Sequence, residues 1–303
     1  MVFMASTKEN HQAWHGFLLG LGAYAIYNVC DVFIKILSGS YPLLEIVFLC
    51  VFLSLPLIYA FARWRGGPDC MKTRAPRIQI FRGVTFFIYT VAGWYGIQKL
   101  PLANFYTFIF TVPLFTVLFA VMWLRECVTR LQIVLLLISF AGVVIAFHPD
   151  PKNINFAALV VLGGTLAGAL GQAIIRRKSA SEGLGASIVI PEIVTAALAA
   201  AFGFQSFVWP DGQGWMYFWI AAILSGIGNC FLILAFYKAP ASQVTPTHYS
   251  QIIWGTLLGF FMFGDVPDVW IITGAVVIIF AGVWLARIEY RATHKKILGG
   301  VHE

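Results

Sequence analysis

The chain has 303 residues, of which 60% are apolar and 11% are charged, and its mean hydropathy is +0.83. This composition excludes a water-soluble domain of ordinary make-up and indicates a chain that folds in a lipid bilayer. The net charge of +7 does not indicate a nucleic-acid partner, because the basic residues lie in short gaps between apolar runs.

Ten apolar runs are long enough to cross the hydrocarbon core, which takes about 20 residues of α-helix. They cover residues 16–37, 42–62, 78–98, 101–123, 129–147, 156–175, 185–205, 215–236, 244–263 and 268–287. The runs lack the alternation of a spanning β-barrel, so we predict an all-α membrane protein with ten transmembrane helices. The first run carries Asp31 and Lys35 and no small-residue cleavage site, which favours a retained helix over a signal peptide.

An internal repeat divides the chain into two halves. At an offset of 139 residues, Lys99 aligns with Lys238 and Asn104 with Gln243. One extra residue then shifts the offset to 140, at which the FAGV of residues 140–143 recurs at residues 280–283. A repeat of this length defines the fold. The predicted organisation is an N-terminal tail (1–15), a first five-helix unit (16–148), a second five-helix unit (156–287) and a C-terminal tail (288–303).

The distribution of lysine and arginine predicts the orientation of the chain. With ten spans both termini lie on one side, and that side collects most basic residues, whereas the other holds Lys35, Lys99 and Lys152. The positive-inside rule then predicts cytoplasmic termini. Because each half has five helices, an odd number, the two halves are predicted to be inverted repeats, as in many secondary transporters.

The repeated segments resemble a known family. The segment KLPLANFYTFIFTVPLF opening the fourth helix, and FAGV in the fifth and tenth, resemble EamA-type members of the drug/metabolite transporter superfamily. That resemblance implies a central cavity between the halves, alternating access without ATP hydrolysis, and a bacterial inner-membrane location. Members of that family include amino-acid exporters and carriers of S-adenosylmethionine, riboflavin and nucleotide sugars. The sequence has no GxxxxGK[ST] segment, the phosphate-binding motif of many ATPases, which agrees with transport without ATP hydrolysis.

Charged and polar residues within the spans are candidates for gating or coupling, because such groups are costly in lipid. Helix positions predict an outer group of Asp31, Lys35 and Glu45 and an inner group of Gln172, Arg176 and Glu192. An alternative remains: Asp31 and Lys35 are four residues apart and neutralise each other, or Lys35 extends toward the interface.

A second set of residues is predicted to lie near mid-membrane and to bind the solute. Tyr24, Asn28, Asp31 and Lys35 share one face of the first helix. The binding candidates are Tyr24, Asn28, Tyr89, Trp94, Gln251 and Trp254. An apolar chamber with a few amide and phenol groups suits a small organic solute with a flat part. The alternative is that most of these aromatic residues belong to the core, the lipid contact or the interface belt.

The sequence thus predicts a secondary transporter for a small organic metabolite, such as an amino-acid derivative or an S-adenosylmethionine- or riboflavin-like compound. A lipid or lipid-linked sugar flippase is the alternative. An intramembrane enzyme is remote, because His148 and His248 are predicted near opposite faces. The five cysteines lack metal-ligand spacing, and we expect no metal or cofactor. The sequence does not distinguish import from export, proton coupling from exchange or facilitated diffusion, or a monomer from a homodimer.

Overall fold

A computed structural model of the chain describes residues 2–112, 115, 118–119, 122, 130–147, 155–178, 182–238, 247–248 and 250–299. For some helical residues, including 2–13, Gln172 and Arg176, only the backbone is described. Pro113, His148, Pro246 and Tyr249 lie outside the described residues.

The described residues include ten α-helices with given bounds and further helical residues at 112–122, and they contain no strand. The helices are α1 (Val2–Leu37), α2 (Leu43–Gly66), α3 (Pro76–Lys99), α4 (Leu102–Ile109), α5 (Arg130–Phe147), α6 (Phe156–Lys178), α7 (Leu184–Gly203), α8 (Gly212–Lys238), α9 (Ser250–Phe263) and α10 (Val269–Gly299). A 3₁₀ turn, Phe204–Ser206, follows α7. The predicted all-α class is confirmed for the described residues.

Within the described part, four helices are long and apolar enough to cross a membrane by themselves. They are Trp14–Leu37, Leu43–Gly66, Gly185–Ser206 and Gly212–Ala235. Shorter apolar helices are Ile133–Gly142, Phe156–Gly171, Ile253–Phe263 and Val269–Trp284. The chain is a multi-pass membrane protein. The first helix is longer than the predicted span 16–37. It begins at Val2, so the segment expected as an N-terminal tail (1–15) is helical from its second residue.

Helices of the first half pack mainly against helices of the second half. Helix α1 packs against α8, α2 against α7 and α8, and α3 against α6 and α7. The remaining helices pair as α5 with α10 and α4 with α9, while α1 also contacts α9 and α4 contacts α6. Most of the core lies where α1, α3, α4 and α8 meet, with Ile34, Ile97, Phe110 and Phe218 fully buried.

Small residues allow the closest helix approach, between α3 and α6. A Cβ added at Gly164 would lie 2.4 Å from the Ala92 Cβ, and one added at Gly168 would lie 2.7 Å from the Tyr89 ring. In lipid, helix association depends on such close packing because the surrounding tails are as apolar as the side chains. This GxxxG pair therefore joins helices of the same chain.

Candidate functional site

The polar face of α1 points into the bundle. Tyr24 is 9% exposed and Asn28 is fully buried. The Asn28 Nδ2 donates a hydrogen bond to the Tyr24 carbonyl at 2.8 Å, which fixes the orientation of the amide. Its Oδ1 then points away and has no hydrogen-bond partner among the described residues. A buried acceptor without a donor is costly, so this oxygen is available to a ligand.

Asp31 lies one turn further along that face and is bound by a tyrosine from α4. The Tyr106 hydroxyl donates to the Asp31 Oδ2 at 2.6 Å. Tyr106 is only 1% exposed, so this hydrogen bond lies inside the bundle, yet the Asp31 side chain remains partly accessible. The Asp31 carboxylate thus combines a hydrogen bond to a buried phenol with partial accessibility. Sequence reasoning missed Tyr106, although a phenol in an apolar helix needs a polar partner.

Helix α9 closes the same site from the second half of the chain. A Cβ added at Gly255 would lie 2.1 Å from the Tyr106 ring and 3.3 Å from the Asn28 Oδ1, so these two side chains meet at the Gly255 backbone. Gln251, one turn earlier, is 6% exposed, and its Oε1 has no hydrogen-bond partner among the described residues. The structure therefore brings the predicted Asn28 to Tyr106, and it places the predicted Gln251 one turn from Gly255 on the same helix.

Aromatic rings complete this group. The His248 ring stacks on Tyr24 with centroids 4.7 Å apart and meets the edge of Phe110 at 5.7 Å. The structure places the His248 ring against the predicted Tyr24, so the aromatic lining comes from both halves.

A helix break lies next to the site. The predicted span 101–123 is not one uninterrupted helix in its described part: α4 ends at Ile109, residues 110–111 form a turn, and residue 112 is helical again. Within the turn, the Thr111 Oγ1 bonds the Phe108 carbonyl at 2.7 Å and the Thr165 Oγ1 at 3.0 Å. Helix α9 begins at Ser250, which aligns with Thr111 at the repeat offset of 139. Equivalent helix ends therefore approach the site from each half.

A second carboxylate, Glu192, lies on α7 and is 5% exposed. Its Oε1 accepts a hydrogen bond from the Asn229 Nδ2 of α8 at 3.2 Å. Tyr27 interacts electrostatically with Glu192 and Tyr89, and Tyr89 interacts electrostatically with Asp31.

Lys35 pairs with Asp265 and not with Asp31. The Lys35 Nζ donates to the Asp265 Oδ2 at 2.6 Å and lies 4.5 Å from the centroid of the Phe263 ring. Gly264, at φ 70°, ends α9 and brings Asp265 to the end of α1. The alternative of a neutralising Asp31–Lys35 pair is therefore wrong, because Asp31 bonds Tyr106 on α4 and Lys35 bonds Asp265 in the connection that follows α9.

Glu45 also joins the two halves. It is 1% exposed, and its Oε2 accepts a hydrogen bond from the Val208 N–H at 2.8 Å. Nearby, the Tyr41 hydroxyl lies 3.2 Å from the Asp211 Oδ1. The predicted outer residues Lys35 and Glu45 thus both contact the second half, through separate partners.

Gln172 and Arg176 lie on α6, and the contacts of their side chains fall outside the described residues. At the end of the bundle where α2 ends and α7 begins, sequence reasoning missed Glu182. It accepts hydrogen bonds from the Thr73 Oγ1 at 2.5 Å and from the Gln79 Nε2 at 3.2 Å. The backbone of Gly183 also bonds the Lys72 carbonyl at 3.1 Å. These contacts again join the two halves.

The two predicted tryptophans do not join the polar group. Trp94 is partly buried and packs against both of the larger core clusters. Trp254 is 41% exposed. These environments agree with the alternative interpretation, in which most aromatic residues pack in the core or contact lipid. No group of three or more potential metal ligands occurs among the described residues.

Comparison with known proteins places this arrangement in context. Residues 14–148 match the EamA-like transporter family. The S-adenosylmethionine uptake transporter of Rickettsia felis is 25% identical over 92% of this chain and 96% of its own. The pseudopaline exporter CntI of Pseudomonas aeruginosa is 28% identical over 90% and 96%. A solved crystal structure with 18% identity has a TM-score of 0.66 and covers 90% of this chain and 97% of its own, which shows the same fold.

Proposed function

We propose that this chain is a transporter of the drug/metabolite transporter superfamily, and that it moves a small organic metabolite across a bacterial inner membrane by alternating access. The observation that carries the proposal is the polar group of Asn28, Asp31, Tyr106 and Gln251, which is assembled from both halves of the chain. Such a group between repeats, beside interrupted helices, suits a central solute site.

The pairing of helices supports two inverted five-helix repeats. When each helix is exchanged for its counterpart five positions along, the contact of α1 with α8 becomes that of α6 with α3. Likewise α2–α8 becomes α7–α3, and α1–α9 becomes α6–α4, while the pairs α2–α7, α4–α9 and α5–α10 map onto themselves. This exchange is what a two-fold axis between the halves produces. An even number of spans, ten, places both termini on one side of the membrane. Because the basic residues collect on that side, the positive-inside rule favours cytoplasmic termini.

The relatives define the proposed substrate class. One group is named for uptake of S-adenosylmethionine and another for export of pseudopaline. We propose an amino-acid derivative, or an S-adenosylmethionine- or riboflavin-like compound, because the site combines aromatic rings with a few amide, phenol and carboxylate groups.

The predicted gate residues keep this role in the proposal. Lys35 and Glu45 each bond a partner in the other half, so the contacts to Asp265 and Val208 must break when the halves separate on that side. Glu192 instead bonds Asn229 within the second half, which leaves it in place during such a movement. Gln172 and Arg176 are proposed to act on the inner side with Glu192.

The test is transport by purified protein in lipid vesicles. Labelled S-adenosylmethionine, riboflavin and an amino acid are offered to the wild type, to Glu192→Gln, and to Asp69→Asn as a control. Asp69 is a suitable control because its side chain is 71% exposed and pairs only with the equally exposed Lys72 among the described residues. We expect Glu192→Gln to abolish transport at normal expression and Asp69→Asn to retain it.

Two results would contradict the proposal. Wild-type transport by Glu192→Gln removes the gate role of that carboxylate. Movement of a labelled lipid across the vesicle membrane, with no movement of any solute, identifies a flippase and rejects the metabolite carrier.

A further inference from the structure

Asp31 and Glu192 are carboxylates without a basic partner in the described part of the chain. The ion pairs found there are Lys35–Asp265 and Lys72–Asp69. Asp31 receives a hydrogen bond from one phenol and Glu192 from one amide. Because a carboxylate accepts about four hydrogen bonds and its charge is costly inside a bundle, both groups have unused capacity for positive charge.

The neutral polar groups of the site also lack donors. The Oδ1 of Asn28 is a buried acceptor without a partner among the described residues. The Oε1 of Gln251 makes no hydrogen bond of normal geometry there, although the Gln251 side chain interacts with His248. The orientation of the Asn28 amide is fixed by the bond from its Nδ2 to the Tyr24 carbonyl. Such acceptors beside a partly accessible carboxylate require a ligand that brings hydrogen-bond donors or a cation.

The lining of the site is aromatic. Tyr106 bonds Asp31, Tyr89 interacts with it electrostatically, and the stacked pair of Tyr24 and His248 lies one turn or more along α1. The faces of such rings are negative and attract ammonium and sulfonium groups, most strongly where water is excluded. Lys35, the nearest lysine on the same helix face, is held by Asp265, so it is not available to an anionic ligand.

From this arrangement, and resting on the proposed transport function, we propose that the site selects organic cations, with Asp31 as the counter-charge and Asn28 and Gln251 accepting the donors of the same ligand. The class is a compound with a sulfonium or ammonium group close to a flat ring. Phosphorylated and other anionic metabolites find no basic partner among the described residues of this site and are repelled by the Asp31 carboxylate.

The experiment compares two probes that differ by one charged centre. S-Adenosylmethionine carries a sulfonium, whereas S-adenosylhomocysteine lacks one methyl group and has a neutral sulfur at the same position. Binding of each to the purified full chain is measured in detergent. For the wild type we expect S-adenosylmethionine to bind at least about tenfold more tightly, which is the size of a desolvated cation contact.

Variants assign the selection to Asp31. In Asp31→Asn the two probes should bind equally, because S-adenosylmethionine loses its counter-charge and S-adenosylhomocysteine does not. Asp69→Asn, an exposed carboxylate far from the site in sequence, should keep the full difference. If Asp31→Asn does not fold, competition for the wild-type site by benzyltrimethylammonium and by its neutral isostere neopentylbenzene tests the same charge dependence, and only the cation should compete.

The outcomes separate this inference from the transport function. Equal binding of the two adenosyl probes to the wild type, or an unchanged difference in Asp31→Asn, overturns the cation selectivity. The cation selectivity is also overturned if vesicles take up riboflavin or an anionic metabolite while the protein binds neither S-adenosylmethionine nor benzyltrimethylammonium. That result leaves the carrier function standing. If lipid moves and no solute does, the carrier function fails together with the inference.

Discussion

Gly255→Ala tests whether Tyr106 and α9 form the site together. The added Cβ would lie 2.1 Å from both the Cδ2 and the Cε2 of the Tyr106 ring. Carbon atoms in contact are about 3.5–4.0 Å apart, so the ring must move by about 1.5 Å. Its hydroxyl moves with it, and the 2.6 Å hydrogen bond to Asp31 is stretched or misaligned.

Two costs follow from this movement. Overpacking of a filled site costs about 1–3 kcal/mol, and loss of a hydrogen bond to a charged group costs about 1.5–3 kcal/mol. Replacing a helical glycine by alanine returns about 0.5–1 kcal/mol. The net loss of about 2–5 kcal/mol corresponds to a fall in Tm on the order of 10 °C, measured by thermal unfolding of the purified protein in detergent.

Gly163→Ala is the matched control, because a Cβ added there meets nothing within 4 Å. Its Tm should stay the same or rise slightly. In a Tyr106→Phe background the hydrogen bond is already absent, so Gly255→Ala should cost about 1.5–3 kcal/mol less than in the wild type. If Gly255→Ala behaves as the control does, or costs the same in both backgrounds, the proposed contact between Tyr106, Asp31 and Gly255 is refuted.

Two further predictions concern contacts between the halves. Lys35→Met and Asp265→Asn, whose side chains are 17% and 21% exposed, should show a coupling of about 1–3 kcal/mol in a double-mutant thermal cycle, whereas additive losses would mean no ion pair. Glu182→Ala removes the acceptor for Thr73, so trypsin should cleave after Lys72 several-fold faster, and unchanged cleavage would show that this contact does not hold the loop.

The sequence predicted the positions of most helices, because long apolar runs have few alternatives in a bilayer. It did not predict the end of α4 at Ile109. An apolar run has the same composition whether or not its hydrogen bonds continue, so only the proline at position 113 signalled a break.

The partners of the charged residues could not be predicted. Tyr106 is 75 residues from Asp31, and Asp265 is 230 residues from Lys35. Local spacing favoured the pair on one helix, but the packing of α1 against other helices supplied both partners. Trp254 was placed inside and is 41% exposed. In a membrane protein the interior and the lipid-facing surface are equally apolar, so composition alone does not separate them.

The contacts between the halves also bear on how the proposed carrier works. One end of the bundle is held by Lys35 with Asp265 and by Glu45 with Val208, and the opposite end is held by Glu182. Each contact involves a few polar groups, worth about 1–3 kcal/mol apiece. Alternating access requires one end to open while the other stays closed, and a two-state protein responds to a ligand only when its states differ by a few kcal/mol. Contacts of this number and strength meet that condition, because a solute bound at Asp31 needs to offset only the free energy of the contacts that close one end at a time. We therefore expect variants at either end to change the balance between the two openings and to leave the affinity of the central site unchanged.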